Sequence, residues 1–262
     1  MSSRISVVTV SFNQSAFLPA AIDSVLSQSW PDKELIVVDP GSTDGSRQII
    51  AGYGARIQRT VLEPDRGAAD GLNKGFALAT GDVLCFLNSD DEFLPGAFER
   101  VAAEFGGRHD ADFISGCGYF IDAAGLRGKR IVPSRLTVAG YLYGACTIFQ
   151  QGTFFRRHCY ERAGGFNVAN RTCWDGELFL DFLRAGMRHA VFHHDVANFR
   201  IHGASITGSG VNRAAYKQDE QRIFAKTIGR APHRGDRLVA VGLRAGKLLR
   251  DPCSAFARLL QR

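Results

Sequence analysis

Residues 82–96 read DVLCFLNSDDEFLPG and combine a strand signal with a cluster of acids. The apolar run at 83–87 predicts a buried strand that stops at Asn88. Residues 89–92 (SDDE) are polar, and a helix is predicted to begin around Pro95, since proline is favoured early in helices. The acids are therefore either a solvated capping turn or groups that hold something positive at a sheet edge.

The composition indicates one globular domain with a basic C-terminal extension. A chain of 262 residues with 45% hydrophobic content can bury a full core and still form a single domain. The net charge of +6 belongs largely to the tail, which from residue 221 onward carries ten Lys and Arg residues against two Asp. No Gly/Ser-rich linker divides the chain.

The cysteine pattern and the hydropathy predict a cytoplasmic protein. Six cysteines are scattered without a CxxC pair, which favours reduced, packed thiols over disulfides or zinc. The N-terminus has no signal-peptide pattern, and no run approaches the roughly 18–20 apolar residues that a membrane span needs.

Strand and helix patterns alternate through the first half of the chain. This alternation predicts an α/β fold with a parallel, doubly wound sheet, in which functional groups collect at the carboxyl ends of the strands. Ser15 is the predicted cap of the first helix. The predicted strands are 4–12, 35–38, 57–62 and 83–87, with helices after 15 and near 44–53, 68–79 and 95–105. Further on, a hairpin is predicted in 116–132, a helix from Trp174, a strand in 189–201 and basic helices after 212.

Polar residues follow three of these strands, in the segments 11–14, 39–45 and 88–91. Neither GxGxxG nor GxxxxGK[ST] is present, which argues against a dinucleotide or a phosphate cradled on a glycine-rich loop. A phosphate site without such a loop needs another positive charge. Mg²⁺ bound through one or two carboxylates meets that need, and Asp90 and Asp91 are suitably placed.

Seven ordered blocks carry a family resemblance: SVVTVSFNQ, LIVVDPGSTDGS, EPDRGAADGLNKGFALATGDVLCFLNSDD, QQGTFFRR, ERAGGFN, CWDGELFLDFLRAG and FRIHGASIT. Together they resemble the family 2 glycosyltransferases, which implies a GT-A fold, a Rossmann-like and mostly parallel sheet flanked by helices with a small acceptor-side subregion. The resemblance covers about residues 4–207. It implies a glycosyltransferase domain at 1–211, with a nucleotide-binding half at about 1–110 and an acceptor half at about 111–211. The charge and the helical pattern of the tail, which the resemblance does not cover, predict a basic helical extension at 212–262.

The resemblance implies a donor site at the first two strand ends. Asp39 would recognise the nucleotide base, and Asp44 would either join the pocket or brace its loop. Arg66 would reach the base or the phosphates. Asp70 and Asn73, three residues apart on a helix, would hold the ribose or the sugar, or else are ordinary polar residues at a helix start. The same pocket would be lined by Thr9, Ser11 and Asn13.

The metal motif of the family corresponds to Asn88-Ser89-Asp90, where Asn replaces the first Asp. Asn88 and Ser89 are accordingly expected to contact the donor, and Asp90 to bind Mg²⁺ or Mn²⁺. Asp91 is expected to be a co-ligand or to support the ligand. From the block FRIHGAS, the resemblance suggests that His202 approaches the metal or diphosphate and that Arg200 contributes to the donor site.

The resemblance places the catalytic base at Trp174-Asp175. An inverting transfer needs a carboxylate to take the proton of the acceptor hydroxyl. Asp175 shares the buried side of its helix, whereas Glu177 and Asp181 are predicted to face solvent. Asp175 is alternatively an N-cap, and Trp174 either stacks on a sugar or only packs. Gln151 and Thr153 are expected on the acceptor side.

These observations predict an inverting, metal-dependent glycosyltransferase of the hexosyltransferase type. It would move a sugar from a nucleotide diphosphate, with UDP favoured, to a hydroxyl of a glycan or polyprenyl-linked acceptor in cell-surface polysaccharide synthesis. The alternatives are a nucleotidyltransferase or an inactive nucleotide-sugar-binding subunit. The tail either lies on the inner face of an anionic membrane or packs on the domain or in a homodimer. Nucleic-acid binding is not expected.

Overall fold

The computed structural model describes residues 3–203, 205 and 213–250, with side chains as far as residue 246. It contains a nine-stranded mixed sheet with helices on both faces, which confirms the predicted α/β architecture. The strands β1–β9 are Ile5–Val10, Lys33–Val38, Arg59–Val61, Val83–Asn88, Glu92–Phe93, Phe113–Ile121, Arg127–Ile131, Thr153–Arg156 and His189–Arg200. The α-helices α1–α9 are Leu18–Leu26, Ser46–Tyr53, Ala68–Leu78, Ala97–Gly107, Val138–Leu142, Arg157–Ala163, Trp174–Arg184, Arg213–Ile228 and Asp236–Arg250.

The strand order explains why polar residues meet at one edge. The sheet runs β3-β2-β1-β4-β8-β6-β9-β5, with β7 paired to β6. The first four strands in that order are parallel, and Val10 lies level with both Val38 and Asn88. The segments that follow β1, β2 and β4 therefore leave the sheet side by side. The antiparallel strand β8 joins this parallel half to β6 and β9.

Two helix starts differ from the sequence-based expectation. The N-cap of α1 is Phe17, and the backbone N–H of Ser15 instead donates to Asp44 at 2.8 Å. Helix α4 begins at Ala97 after the left-handed Gly96, so Pro95 precedes the helix. Glu92 and Phe93 form the short strand β5, which pairs with β9. This strand separates Asp90 and Asp91 from helix α4, which they would cap in the first of the two alternatives.

The sheet buries one hydrophobic cluster on each face. One cluster packs α1 and α4 against the sheet, and the other packs α3, α6 and α7. Trp174 belongs to the second cluster, so its ring is anchored in the core. Five of the cysteines are free thiols in this fold, as predicted, while Cys253 lies outside the described residues.

Helix α8, which belongs to the predicted extension, packs against α7. Ile223 is buried with Cys173 and Leu180. Arg222 donates to both carboxylate oxygens of Glu177, at 2.9 and 2.8 Å. The expectation that Glu177 faces solvent is wrong, since only 2% of this residue is exposed. Burial alone would raise the pKa of Glu177, but hydrogen bonds from Arg222 and from Asn167 and Asn170 lower it to about 2.

Helix α9 follows with an exposed apolar side. Leu238 is 78% and Val241 is 60% exposed, and Arg244 donates to the carbonyl oxygen of Gly144. Within residues 3–203, 205 and 213–250, no helix has both the length and the apolar character needed to cross a bilayer.

We predict that Arg222→Met destabilises the protein by about 1–3 kcal/mol, because it leaves a buried carboxylate without its main partner. Urea unfolding at pH 7 measures this loss. Arg108→Met is the matched control, since the exposed Arg108–Glu104 pair should contribute within about 1 kcal/mol.

The loss in Arg222→Met should shrink as the pH falls from about 4.5 toward the lowered pKa of Glu177, because a depressed carboxylate pKa stabilises the fold only above that range. Equal stability of the two variants at pH 7 would contradict the proposed anchoring of α8.

Candidate active site

A cavity of about 560 Å³ opens at the carboxyl edge of the parallel strands. The ends of β1 and β4, the turn before α3, and Trp174 and Phe199 form its walls. Its lining residues include four predicted in the donor or metal set, Ser11, Asn88, Ser89 and Asp90, together with Trp174 from the predicted acceptor set. Thr9, Asp39 and Asn13 are not among its lining residues, and the first two are fully buried beside it.

Asp39 lies at the end of β2 with one oxygen occupied and one unpaired. Its Oδ1 accepts hydrogen bonds from the backbone N–H groups of Gly41 and Ser42 at 3.0 and 2.8 Å, and from Arg47 Nε at 3.2 Å. Among the residues that the structure describes, the buried Oδ2 has no hydrogen-bond partner, and neither do the hydroxyls of Thr9 in β1 and of Ser11 just after it. Because buried polar atoms are nearly always paired, this cluster is chemically incomplete.

Asn13 and Asp44 brace the loop after β2. Asn13 has a positive φ of 52°, and its side-chain oxygen accepts from the backbone N–H of Thr43 at 2.9 Å. Asp44 accepts from Ser46 Oγ at 2.7 Å and from two backbone N–H groups, one of them from Ser15. Asp44 therefore has the bracing role, one of its two predicted alternatives.

The residues predicted near the start of α3 are largely engaged with one another. Asp70 accepts from the backbone N–H and the guanidinium of Arg66, each at 3.0 Å. These hydrogen bonds lower the pKa of Asp70, more than burial raises it. Asn73 binds the backbone N–H and C=O of Phe166 and the hydroxyl of Tyr160. These hydrogen bonds fix the turn at 164–166 and occupy the side-chain amide. They therefore do not favour the predicted contact of Asn73 with the donor.

Asp90 and Asp91 point to different surroundings. Asp90 Oδ2 lies 3.0 Å from His202 Nε2, at the wall of the cavity. Asp91 is fully buried, and its carboxylate accepts from the backbone N–H of Arg200 at 2.9 Å, Gln151 Nε2 at 2.9 Å and Asn88 Nδ2 at 3.2 Å. Burial and the charge of Asp90 raise the pKa of Asp91 well above its usual range.

This geometry bears on where a cation can bind. Both oxygens of Asp91 face the protein interior, so Asp91 supports the site and is poorly placed as the predicted co-ligand. Within the described part of the chain, no three His, Cys, Asp or Glu residues converge as a metal cluster. Asp90 and His202 are thus a two-ligand set that suits Mg²⁺ or Mn²⁺ only if a phosphate and water complete the shell.

Arg200 holds the acidic loop in place. Its Nε donates to the carbonyl oxygen of Asp90 at 2.8 Å, Nη1 donates to that of Asp122, and Nη2 pairs with Glu92. Only 4% of the residue is exposed. The predicted direct contact with the donor is not favoured, because every guanidinium nitrogen is already used within the protein.

A second cavity, of about 590 Å³, lies on the other side of Trp174. Asn88, Trp174 and Phe199 line both cavities, so the two meet at these residues. Asp175, in the first turn of α7, lines only the second cavity. Burial raises the pKa of Asp175 despite hydrogen bonding with backbone N–H groups at the helix start. A carboxylate of raised basicity thus faces a cavity next to the donor-side cavity.

The two other predicted acceptor residues lie differently. Gln151 lines the second cavity, although its amide also donates to Asp91. Thr153 is buried in β8, where its hydroxyl donates to the carbonyl oxygen of Phe149 at 2.7 Å and contacts Ser115 Oγ. Thr153 therefore stabilises the strand and does not reach the cavity.

Several cavity residues were not predicted from the sequence. Phe12 is 58% exposed at the end of β1 and lines the first cavity. An exposed aromatic directly after a buried strand is the signal that could have identified it. Tyr141 and Tyr216 carry no comparable signal, because each lies on a helix far in sequence from Asp175, with which it lines the second cavity.

Several curated proteins are similar to this chain along much of its length. A putative glycosyltransferase EpsE of Bacillus subtilis is 33% identical over 193 residues, covering 71% of this chain and 68% of that protein. A putative teichuronic acid biosynthesis glycosyltransferase TuaG of the same species is 29% identical and covers 85% of this chain and 90% of that protein. An uncharacterised glycosyltransferase of Nostoc is 30% identical, and the chain spans 66% of its length.

Two solved structures show the same fold. The structure of Staphylococcus aureus TarS 1–349 in complex with UDP-GlcNAc aligns with a TM-score of 0.68 and 18% identity, covering 95% of this chain and 72% of that one. The mannosyltransferase PcManGT of Pyrobaculum calidifontis, in complex with GDP-Man and Mn²⁺, aligns with a TM-score of 0.66 and 18% identity, covering 96% and 76%. At such identities the likeness concerns the fold alone, and it confirms the predicted GT-A type.

The sequence itself carries the family assignment. Residues 6–182 match the family described as glycosyl transferase family 2. This segment runs from β1 to α7 and includes the ends of β1 and β4 that line the first cavity. The resemblance seen in the seven sequence blocks is thereby confirmed, as is the prediction of a glycosyltransferase. The chain belongs to glycosyl transferase family 2.

Proposed function

We propose that this chain transfers a sugar from a nucleotide-diphosphate donor to a hydroxyl of a glycan acceptor, with inversion at the anomeric carbon. The observation that carries the proposal is the meeting of two cavities at Asn88, Trp174 and Phe199. Asp90, which contacts His202, borders one cavity, and Asp175 borders the other. A donor and an acceptor bound in the two cavities would present their reacting atoms to each other at this junction.

The unpaired atoms beside the first cavity support nucleotide binding. Asp39 Oδ2 is a free acceptor that suits a ring N–H of uracil or guanine, while Arg47 holds the other oxygen. Phe12 offers an exposed ring for stacking on a base. Because Asp39 is fully buried, base binding requires a small opening of the loop after β2. UDP is the proposed nucleotide, and the UDP-GlcNAc complex of TarS is consistent with it.

Asp90 and His202 would hold the divalent cation together with the donor diphosphate. Their direct 3.0 Å contact places an imidazole nitrogen beside a carboxylate oxygen of Asp90, which lines the cavity. Such a cation neutralises the charge of the departing diphosphate. The Mn²⁺ in the PcManGT complex supports this part of the proposal.

Asp175 is the proposed general base. In the reaction, the acceptor oxygen forms a bond to the anomeric carbon while the bond to the diphosphate oxygen breaks. The hydroxyl proton passes to the Asp175 carboxylate, whose raised pKa makes it a better acceptor than an ordinary aspartate. Trp174 separates the two cavities and helps to exclude water from the junction.

Cell-surface polysaccharide synthesis is the proposed setting, in the cytoplasm at the inner face of a membrane. The relative TuaG, described as a putative teichuronic acid biosynthesis glycosyltransferase, supports this setting. Helix α9 adds a physical reason, because Leu238, Val241 and Ala245 lie on one exposed side, with Arg237 and Arg244 flanking it. That combination complements an anionic lipid surface.

We predict that Asp90→Asn abolishes stabilisation by UDP plus Mn²⁺ in a thermal-shift assay, because it removes the charged ligand of the cation. At a ligand concentration of 100 Kd, the wild type should gain about 2.7 kcal/mol. Asp110→Asn, at a highly exposed position in a turn, is the control and should keep the gain. Undiminished stabilisation of Asp90→Asn would remove Asp90 from the cation site.

We predict that Asp175→Asn lowers kcat for sugar transfer by about 10²–10⁴-fold with little change in donor affinity, because only proton removal is lost. Asp181→Asn on the same helix is the control, since Asp181 pairs with Lys226 and does not line the cavity. In the wild type, kcat should fall on the acidic side at a pH above the usual aspartate range, since the base must be ionised. Transfer that survives in Asp175→Asn would exclude this base.

We predict that the double variant Leu238→Asp/Val241→Asp binds vesicles of phosphatidylglycerol roughly tenfold or more weakly, since burying a Leu or Val fully contributes about 1.5–3 kcal/mol. Vesicle sedimentation at low and high salt measures the effect. Leu126→Asp, at an exposed position in the turn between β6 and β7, should not change binding. Equal sedimentation of all three proteins would argue against the membrane contact.

A further inference from the structure

A smaller chamber adjoins the second cavity, between the segment that matches the family and helix α8. It measures about 230 Å³ and shares Tyr141, Ile148 and Tyr216 with the larger cavity. Its remaining wall includes Glu220 and Ile223 from α8. Helix α8 follows residue 182 and so lies outside the family match.

Helix α8 is fixed firmly enough to form a binding wall. Asp219 accepts from the backbone N–H of Arg171 and from the hydroxyl of Thr172, just before the Asp175 helix. One turn after Asp219 in α8, Arg222 donates to the carboxylate of Glu177 in α7. Tyr216 and Glu220 therefore have fixed positions relative to Asp175.

Tyr141 and Tyr216 flank the proposed base. A Cβ atom placed on Gly176 would lie 2.7 Å from the Tyr141 hydroxyl, so only glycine next to Asp175 leaves room for this ring. Tyr216 is hydrogen-bonded to Glu220. Burial, with the negative charges of Glu220 and Asp175, raises the pKa of Tyr216 to about 12 and keeps its hydroxyl protonated.

We propose that α8 forms a second acceptor subsite, in which Tyr216 and Glu220 bind the sugar unit next to the one that is glycosylated. This inference rests on the proposed function and names its acceptor class, an uncharged oligosaccharide. Aromatic rings suit the apolar faces of sugars, and a carboxylate accepts from their hydroxyls. Glu220 and Asp175 together disfavour an acidic sugar at this place.

The test compares acceptors of one and two units. Transfer from UDP-sugars is measured with methyl glycosides of mono- and disaccharides built from glucose, galactose and N-acetylglucosamine. For wild type we expect a disaccharide to have the lower KM. Tyr216→Ala should raise the KM for the disaccharide about tenfold relative to that for the monosaccharide, and Tyr216→Phe should raise it by less because the ring remains. Lys217→Ala, at the exposed neighbouring position, should change neither value.

The outcomes separate this inference from the proposed function. Absence of UDP-sugar binding in a thermal shift of the wild type would overturn the proposed function. If binding and transfer occur but monosaccharides serve as well as every disaccharide, or Tyr216→Ala leaves the KM ratio unchanged, the subsite is overturned. A preference for octyl monoglycosides that Tyr216→Ala removes would also overturn it, since an apolar chain would then fill the chamber.

Discussion

The buried carboxylate of Asp91 is the constraint on which the candidate site depends. A carboxyl group that is removed from water must be hydrogen-bonded, and the three donors to Asp91 come from three segments: the end of β4, the turn at Gln150–Gly152 and the end of β9. These bonds close the open edge where the parallel strands end. The hydrogen bonds to Asp91 consequently help to hold its neighbour Asp90 beside His202. Arg200 also fixes this loop, because its guanidinium donates to the carbonyl oxygen of Asp90 and pairs with the carboxylate of Glu92.

A buried carboxylate with hydrogen-bond partners also lies near Asp175, the proposed general base. Glu177 is nearly as inaccessible as Asp91, yet it has cationic partners where Asp91 has neutral ones, and their pKa values accordingly move in opposite directions. The ion pair with Arg222 ties the start of α7 to α8. Asp175 lies two residues before Glu177, without a cationic partner among the described residues, and burial raises its pKa. One turn of helix α7 thus holds a structural carboxylate, Glu177, and the proposed general base, Asp175, and the two differ in their hydrogen-bond and charge partners.

Much of the fold follows from local patterns in the sequence, because the strands β1, β2 and β4 are continuous apolar runs and α1, α3 and α7 have regular apolar stripes. The short strands β5 and β8 escaped prediction, since two and four residues carry little periodicity. Residue types at strand ends predicted a site at this edge, where Ser11, Asn88, Ser89 and Asp90 line a cavity, but they did not give the direction of each side chain. Asn73, Asp91, Thr153 and Arg200 each make at least one internal hydrogen bond to a partner 38 or more residues away. Glu177 was placed on the solvent side because helical phase cannot reveal a second helix, α8, that covers that side.

The two cavities are lined largely by different parts of the chain. Of the described residues, those that line only the first cavity precede position 91, with the exception of Ser205, and those that line only the second follow position 119, with the exception of Phe86. Within the same part of the chain, Asn88, Trp174 and Phe199 belong to both. Under the proposed assignment of donor and acceptor to the two cavities, substitutions that alter recognition of one substrate are physically separated from those that alter the other. A chain built in this way can diversify its products by drift or recombination in its C-terminal half while the proposed nucleotide pocket stays unchanged.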